Sequence, residues 1–281
     1  MILFQETNSP IKHRTYTNRH DIVWYSWAPY FLKEVNALKK YLTHDKIKFI
    51  YLKKYKDYNF SYTLNLSKLD KGFVEHFKHY AYALHHFDTY DQVLFFHDLI
   101  NDKINGKLFH SIFSILRALL VEITQDEMGA LYSPLTSGKK ENDFPLHCDL
   151  YIPTILFNVM ENVSKDNSGH SIFLRIDDLF NYVLPETKKI DRHSIATLKK
   201  LVKGDVREDN YDKFYGLLYH ESWASTVKEV SAKYRLRIKL DKGEGYMLND
   251  RIWMHGRDKT NGGVSTKRLH RLIYNNFKSI H

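Results

Sequence analysis

The sequence predicts an α+β fold in which a β-sandwich or β-barrel is braced by helices. Apolar residues recur at helical spacing through much of the first 127 residues. From about residue 128 the chain changes to short runs that are typical of strands. A helical insertion interrupts these runs at about 177–230. Helices followed by many short strands favour a mainly β core braced by helices.

Three helices are predicted in the first 127 residues. Residues 31–42 carry apolar side chains at helical spacing. Residues 67–70 resemble a capping box, with Ser67 opening a helix that runs through Leu84. Residues 108–123 are apolar on nearly every side, which predicts a buried helix.

The second half is predicted to carry the β core and its insertion. Two helices are expected in the insertion, at 177–184 and 194–203. No internal repeat or Pro/Ser-rich linker interrupts the chain, so residues 1–281 are predicted to form a single domain with its core at 128–277. Apolar runs predict strands at 130–133, 146–152, 155–160, 171–175, 232–240, 246–248, 251–256 and 267–275.

Composition limits the class of protein. Of the 281 residues 43% are hydrophobic, which excludes a disordered chain. Cys148 is the single cysteine, so no intrachain disulfide can form and a reducing compartment is expected. The sequence contains no run of 18 apolar residues, so no membrane helix is predicted, and we expect no signal peptide because the first residues lack its apolar run. We expect a cytoplasmic protein with no membrane partner.

The formal charge of +9 leaves two interpretations open. The cations are spread along the chain and cluster only in pairs such as Lys199-Lys200, which is typical of a solvated surface. No nucleic-acid partner is therefore expected, although a basic nucleic-acid-binding protein without catalysis remains the alternative. The same positive field would favour an anionic substrate.

A His-x-Asp pattern occurs twice in the chain. On a strand, residues two apart share a face, so both side chains can reach one metal ion. His86 and Asp88 end a helical stretch, and on a helix the side chains of residues two apart are separated by about 200° around the axis. His147 and Asp149 open a predicted strand instead. We therefore expect His86 to be a helix-end or surface histidine, and Cys148 to pack on the face turned away from any metal.

A second histidine is expected from a distant strand. The segment 249–257 reads Asn-Asp-Arg-Ile-Trp-Met-His-Gly-Arg, and alternation places Arg251, Trp253 and His255 on one face. Two histidines and one carboxylate are the ligand set of non-haem Fe(II) oxygenases. Two alternatives remain for His255: a buried histidine that only stabilises a sheet, or a ligand in a zinc-type hydrolase with the same triad.

The segment 249–257 also resembles a known motif. It is similar to the Asn-x-Arg-x-x-x-His-Gly-Arg pattern of the TauD/clavaminate synthase-like 2-oxoglutarate oxygenases. Residues 168–171 resemble the Gly-Gly-x-Thr/Ser turn of that family, with Ser171 in the hydroxyl position and Ser168 replacing the first glycine. The resemblance covers about 128–277. It implies a double-stranded β-helix, the cupin-like jelly roll.

The resemblance further implies a reaction. His147, Asp149 and His255 would hold Fe(II), while 2-oxoglutarate and O2 would be cosubstrates. The product would be a substrate hydroxylated at an unactivated C–H bond, with release of succinate and CO2. Halogenating relatives lack the carboxylate ligand, so the presence of Asp149 implies hydroxylation or desaturation.

The anchor for the 2-oxoglutarate distal carboxylate is less determined. Family members carry two arginines four residues apart on the last core strand, and the spacing maps them onto Lys267 and Arg271. Lysine in the first place is a departure, because only arginine binds a carboxylate through a planar fork. Lys267, Arg271 or, after a register shift, Arg268 could hold the carboxylate. A basic residue beside the site favours an anionic or zwitterionic small substrate, for example a free amino acid.

Overall fold

The computed structural model describes residues 3–8, 22–41, 49–51, 62–87, 89, 91–126, 129–136, 143–148, 154–163, 168–203, 208–259 and 268–275. The helices are α1 (Pro29–Tyr41), α2 (Lys71–His85), α3 (Gly106–Thr124), α4 (Ile176–Asp178), α5 (Leu184–Glu186), α6 (Arg192–Lys203), α7 (Glu208–Leu218) and α8 (Ala224–Ser231), with a π-helical turn at Leu179–Val183. The strands are β1 (Phe4–Thr7), β2 (Val23–Trp27), β3 (Phe49–Tyr51), β4 (Tyr62–Leu64), β5 (Leu94–Phe96), β6 (Ala130–Thr136), β7 (Phe144–His147), β8 (Thr154–Asn162), β9 (Ser171–Arg175), β10 (Leu236–Ile238), β11 (Gly245–Asn249), β12 (Trp253–Arg257) and β13 (Arg268–Asn275).

Two sheets carry the core of this α+β fold. The large sheet has the strand order β1-β2-β5-β11-β8-β13-β6, and the small sheet has the order β10-β9-β12-β7. Neighbouring strands are antiparallel except β2 and β5, which are parallel. Between β6 and β13 the chain crosses from one sheet to the other at almost every connection, so residues distant in sequence meet between the sheets.

The two sheets pack face to face. The Phe173 ring of the small sheet lies 5.6 Å from Phe95 and 4.7 Å from Tyr246 of the large sheet, between ring centroids. Trp253 and Ile273 belong to the same buried cluster. This interior is close-packed at one end, and the polar residues described below lie at the other.

Helices cover the outer faces of both sheets. On the large sheet, α3 is buried along most of its length and packs through Phe113 on Phe157, which confirms the predicted buried helix. On the small sheet, Leu174 and Met254 pack against the insertion helices through Leu198 and Leu218. The interior between the sheets is therefore closed off by a layer of helices on either side.

A hydrogen-bonded network lies between α3 and the large sheet. Tyr132 Oη is 2.6 Å from His270 Nδ1 and 2.8 Å from His110 Nδ1. His270 Nε2 lies 3.1 Å from Glu161 Oε2. Burial lowers the pKa of His270 despite the nearby carboxylate, and the contact with His270 lowers the pKa of Glu161. A neutral His270 therefore links strand and helix.

Most predicted elements of the second half are confirmed, and several features differ. Strands β1 to β5 of the first half and helices α7 and α8 of the insertion were not predicted. Asp70, rather than Ser67, caps α2, because its side chain accepts a hydrogen bond of 2.8 Å from Phe73 N. Strand β10 begins at Leu236 instead of residue 232, because residues 232–234 form a turn after α8. In the described part of the chain, no helix is long and apolar enough to cross a membrane.

Candidate metal centre

His147 and His255 lie side by side on the inner face of the small sheet. They are paired across β7 and β12, and their ring centroids are 4.3 Å apart. Both side chains are buried. Strand pairing has thus brought together two histidines that are over a hundred residues apart in the chain.

Gly256 allows β7 and β12 to approach this closely. A Cβ atom at position 256 would lie 2.6 Å from the carbonyl oxygen of Phe144 and 3.0 Å from that of Pro145. Backbone atoms cannot move aside as a flexible side chain can. A glycine is therefore required next to His255 for the strand spacing that sets the separation of the two rings.

The acceptors that lie beside the two rings indicate their tautomers. His147 Nδ1 lies 2.9 Å from the Pro145 carbonyl oxygen, which can only accept, so Nδ1 carries the proton. His255 Nδ1 lies 3.4 Å from Oδ1 of Asp250, whose side chain is only 1% exposed. A carboxylate there likewise favours the proton on Nδ1. In both residues Nε2 becomes the basic nitrogen, which is the arrangement of metal-binding histidines.

The third predicted ligand is not part of this geometry. Asp149 lies outside the described residues. Among the residues that are described, no group of three His, Cys, Asp or Glu side chains could hold a metal ion. His86, from the second His-x-Asp pattern, is exposed at the end of α2, with Nδ1 2.8 Å from the Tyr82 carbonyl oxygen. That position confirms its interpretation as a helix-end histidine.

The turn before β12 holds Asp250 in place. The Asn249 side chain accepts a hydrogen bond of 3.0 Å from Arg251 N, and its carbonyl accepts one of 3.0 Å from Ile252 N. This Asx-type turn is the local reason for an asparagine at 249. Arg251 is exposed within the turn, and β12 begins only at Trp253. The prediction that Arg251 shares a strand face with His255 is therefore wrong.

Two rows of paired residues face each other between the sheets. One row crosses the small sheet and is called the histidine row, and the other crosses the large sheet and is called the arginine row. Tyr246 of the arginine row lies 4.7 Å from Phe173 and 6.3 Å from His255, between ring centroids. Its hydroxyl accepts a hydrogen bond of 2.6 Å from Asn158 Nδ2. The histidine row is Leu236, Phe173, His255 and His147, and the arginine row is Trp24, Phe95, Tyr246, Asn158, Arg271 and Ser133.

The structure distinguishes the positions of two of the three candidate anchors, Arg268 and Arg271. Arg271 lies two residues before Ile273, which belongs to the cluster between the sheets, so alternation turns Arg271 toward the small sheet. Arg268 lies on the outer face, where its Nε is 2.9 Å from Glu161 Oε2. Arg268 and Arg271 therefore lie on opposite faces of β13. Lys267 lies outside the described residues.

Ser171 opens β9 and is buried. By alternation it shares the face of Phe173, and it is paired with Arg257 on β12. The preceding Gly169 has a φ of 67°, which favours glycine, and its N–H donates to the Lys259 carbonyl at 3.2 Å. The turn before Ser171 is thus fixed against the end of β12.

Cys148 packs on the outer side of the small sheet. Its side chain contacts the cluster formed with the insertion helices, and its N–H donates to the Tyr215 hydroxyl at 2.7 Å. The predicted packing role is confirmed. Sequence reasoning missed Asp250, whose position became visible only with the turn that carries it.

Comparisons with known proteins give matches only among solved structures. No family model and no curated protein matches the chain. A crystal structure of asparagine oxygenase matches with a TM-score of 0.49 and 11% identity, over 89% of this chain and 91% of the other. The non-heme iron oxygenase OrfP in complex with Fe and alpha-ketoglutaric acid matches with a TM-score of 0.42 and 11% identity, over 90% and 93%. PvcB from Pseudomonas aeruginosa matches with a TM-score of 0.36 and 10% identity, over 84% and 94%.

These TM-scores lie below 0.5, and the matches therefore do not by themselves assign a function to this chain. The solved structures that it resembles at this level include oxygenases.

Proposed function

We propose that the chain is an Fe(II)- and 2-oxoglutarate-dependent oxygenase that hydroxylates a C–H bond of a small amino-acid-like substrate. One observation carries the proposal. His147 and His255 are buried side by side, with His147 Nδ1 hydrogen-bonded to the Pro145 carbonyl and His255 Nδ1 3.4 Å from the Asp250 carboxylate, which favours Nε2 of each ring as the metal-binding nitrogen. A histidine that only stabilises a sheet does not require this shared arrangement.

The donor set fits a non-haem iron. Two neutral imidazoles and a carboxylate leave three coordination positions for cosubstrate and oxygen. Asp149 is the proposed carboxylate, from its place two residues after His147. When bound, the iron would supply the oxygen activation that no protein side chain provides. Asp250 would fix the orientation of the His255 ring and raise its basicity.

The strand order supports a jelly-roll core. Strands β6, β13, β8 and β11 are neighbours in the large sheet, and β7, β12, β9 and β10 are neighbours in the small sheet. In this order β6 with β7 and β12 with β13 stack at one end, so the chain winds as a double-stranded helix. We propose that residues 1–281 form one domain around this core.

Arg271 is the proposed anchor for the 2-oxoglutarate distal carboxylate. It lies in the arginine row between Ser133 and Asn158, on the sheet that faces the histidine pair. Its guanidinium can bind a carboxylate through two parallel hydrogen bonds. We propose Ser171 as a hydroxyl donor to the same cosubstrate, and Lys267 remains the alternative anchor.

The rest of the interior would exclude water and position the substrate. Phe173 and Tyr246 form an aromatic wall beside His255, and the hydrogen bond to Asn158 holds the tyrosine ring. The positive charge of Arg271 on this inner face favours a substrate with a carboxylate. We therefore propose a free amino acid or a similar zwitterion.

An anaerobic titration tests the proposal. Fe(II) is added to the protein with 2-oxoglutarate, and the weak visible metal-to-ligand charge-transfer band is recorded. We expect a band in the wild type that is lost in His255→Ala. His86→Ala is the matched control, because it removes a histidine from the other His-x-Asp pattern and should keep the band. A wild type without a band, or a band that survives His255→Ala, contradicts the proposal. Succinate release with a panel of amino acids then tests the substrate class.

A further inference from the structure

Strand β7, which carries His147, lies at the edge of the small sheet. It ends the strand order β10-β9-β12-β7, and it pairs with β12 on its inner side. The outer side of an edge strand presents backbone N–H and C=O groups that need partners from outside the sheet. The position of His147 therefore depends on what binds the outer edge of β7.

Two tyrosines of α7 bind this edge. The Tyr219 hydroxyl donates a hydrogen bond of 2.6 Å to the Leu146 carbonyl oxygen. The Cys148 N–H donates one of 2.7 Å to the Tyr215 hydroxyl. Leu146 directly precedes His147 in the chain, and Cys148 directly follows it. The two hydrogen bonds therefore hold the backbone on either side of His147.

The tyrosine pair is itself held in place. Tyr215 and Tyr219 are four residues apart on α7, so they share one face of the helix, and their stacked ring centroids are 6.2 Å apart. Leu218 of the same helix is buried in the cluster on the outer face of the small sheet. Trp223 Nε1 donates a hydrogen bond of 3.0 Å to the Leu217 carbonyl oxygen at the end of α7. The two hydroxyl groups thus come from a helix that is packed and capped.

The Cys148 N–H is closely connected to the proposed metal ligands. It belongs to the peptide group that joins His147 to Cys148, and the next residue in the chain is Asp149. A peptide group is planar, so its rotation changes the backbone dihedrals on both sides and redirects the neighbouring side chains. Metal binding requires ligands that are held close to their productive positions. A hydrogen bond that fixes this peptide group would therefore favour metal binding.

We propose that Tyr215 and Tyr219 are positioning residues, which hold His147 and Asp149 in the arrangement that binds iron. This inference rests on the proposed function, because the iron site is the one proposed there. The tyrosines act through the backbone of β7 and not by contact with the metal or the substrate. Helix α7 would then support the metal centre as well as cover the small sheet.

Replacement of each tyrosine by phenylalanine tests this role, because only the hydroxyl group is removed. We expect the Fe(II) affinity in a calorimetric titration to fall by about tenfold in Tyr215→Phe and in Tyr219→Phe. The charge-transfer band with 2-oxoglutarate and saturating Fe(II) should also shift, because it depends on the arrangement of the ligands. Tyr234→Phe is the matched control, because its hydroxyl donates to Glu186 instead of to β7, and it should keep both the affinity and the band. Circular dichroism verifies that each variant is folded.

A measurement on the metal-free chain tests the hydrogen bond to Cys148 directly. Exchange of the Cys148 amide hydrogen, followed by NMR, should be about 2–10-fold faster in Tyr215→Phe, because the amide loses its acceptor. The same exchange should be unchanged in Tyr234→Phe. Wild-type Fe(II) affinity in both folded variants of the pair, or unchanged exchange in Tyr215→Phe, overturns this inference alone. A wild-type chain that binds no Fe(II) contradicts the proposed function and this inference together.

Discussion

Buried histidines on two faces of the core are held in different ways. On the outer face of the large sheet, His270 Nδ1 is hydrogen-bonded to Tyr132, and its Nε2 lies 3.1 Å from Glu161. On the inner face of the small sheet, an acceptor lies beside Nδ1 of both His147 and His255, which favours Nε2 as the basic nitrogen of each ring. The first arrangement joins a helix to a sheet, and the second is suited to a metal ion. Four predictions test this difference.

The largest effect is expected on the inner face. His255→Ala removes a proposed ligand, so we expect Fe(II) affinity and succinate release to fall by a factor of about 10³ or more. Isothermal titration with Fe(II) and a coupled succinate assay measure the two quantities. Circular dichroism of the metal-free variant verifies that it is folded, so that a loss of iron binding can be assigned to the missing ligand. A variant that keeps wild-type iron affinity would falsify the ligand role.

The outer face should respond in the opposite way. His270→Ala leaves a cavity and deprives Tyr132 and Glu161 of a partner, so we expect unfolding free energy to fall by about 2–4 kcal/mol. Urea denaturation measures this loss. The folded protein should still bind Fe(II) with an affinity within a few-fold of wild type. If stability were unchanged and iron affinity lost, the two histidine classes would have to be exchanged.

A smaller effect is expected from the partner of His255. Asp250→Asn keeps the size of the side chain and removes its charge, so we expect iron affinity to fall by about 10–100-fold. Titration with Fe(II) measures it. Asp102→Asn is a suitable control, because Asp102 is an exposed carboxylate in the turn before α3. Equal losses in both variants would contradict the orienting role of Asp250.

The smallest effect is a pH dependence of the outer network. Burial lowers the pKa of His270 in the folded protein, so below the ordinary value of 6.5 the unfolded chain binds the proton more readily. The stability from neutral His270 is present above that pH and is lost as the pH falls. Between pH 7.5 and 5.5, wild type should lose up to about 1.4 kcal/mol per pH unit more than His270→Asn. Parallel urea curves at the two pH values measure the difference, and equal pH dependence would contradict it.

Short apolar runs in the sequence predicted several strands of the core. Residues 171–175 and 246–248 were placed within one residue of β9 and β11. Strand β5 was missed because its three residues, Leu94, Phe95 and Phe96, form too short an apolar run to distinguish a strand from a buried helix segment. Its neighbour β2 joins the same sheet at a distance in sequence that no local pattern records.

The candidate site was predictable in part. The spacing around His147 and His255 selected these residues from 16 histidines, and the structure places the two rings together. The roles of Asp149 and Lys267 stay predictions. Asp250 could not be recognised, because its approach to His255 depends on a turn that reverses the chain between them. Arg268 and Arg271 differ by strand parity, which the structure resolves.

Gly256 has a consequence for how this protein can change over time. It has no side chain that could bind a metal, yet any side chain there would meet the backbone of Phe144 and Pro145. The smallest single-codon change, to alanine, would push apart the strands that hold the two histidines. Substitution of Gly256 is therefore disfavoured during evolution, whereas the two histidines beside it could be replaced by other metal-binding residues. The separation of the two histidine rings thus depends on Gly256, a residue with no side chain to take part in the chemistry.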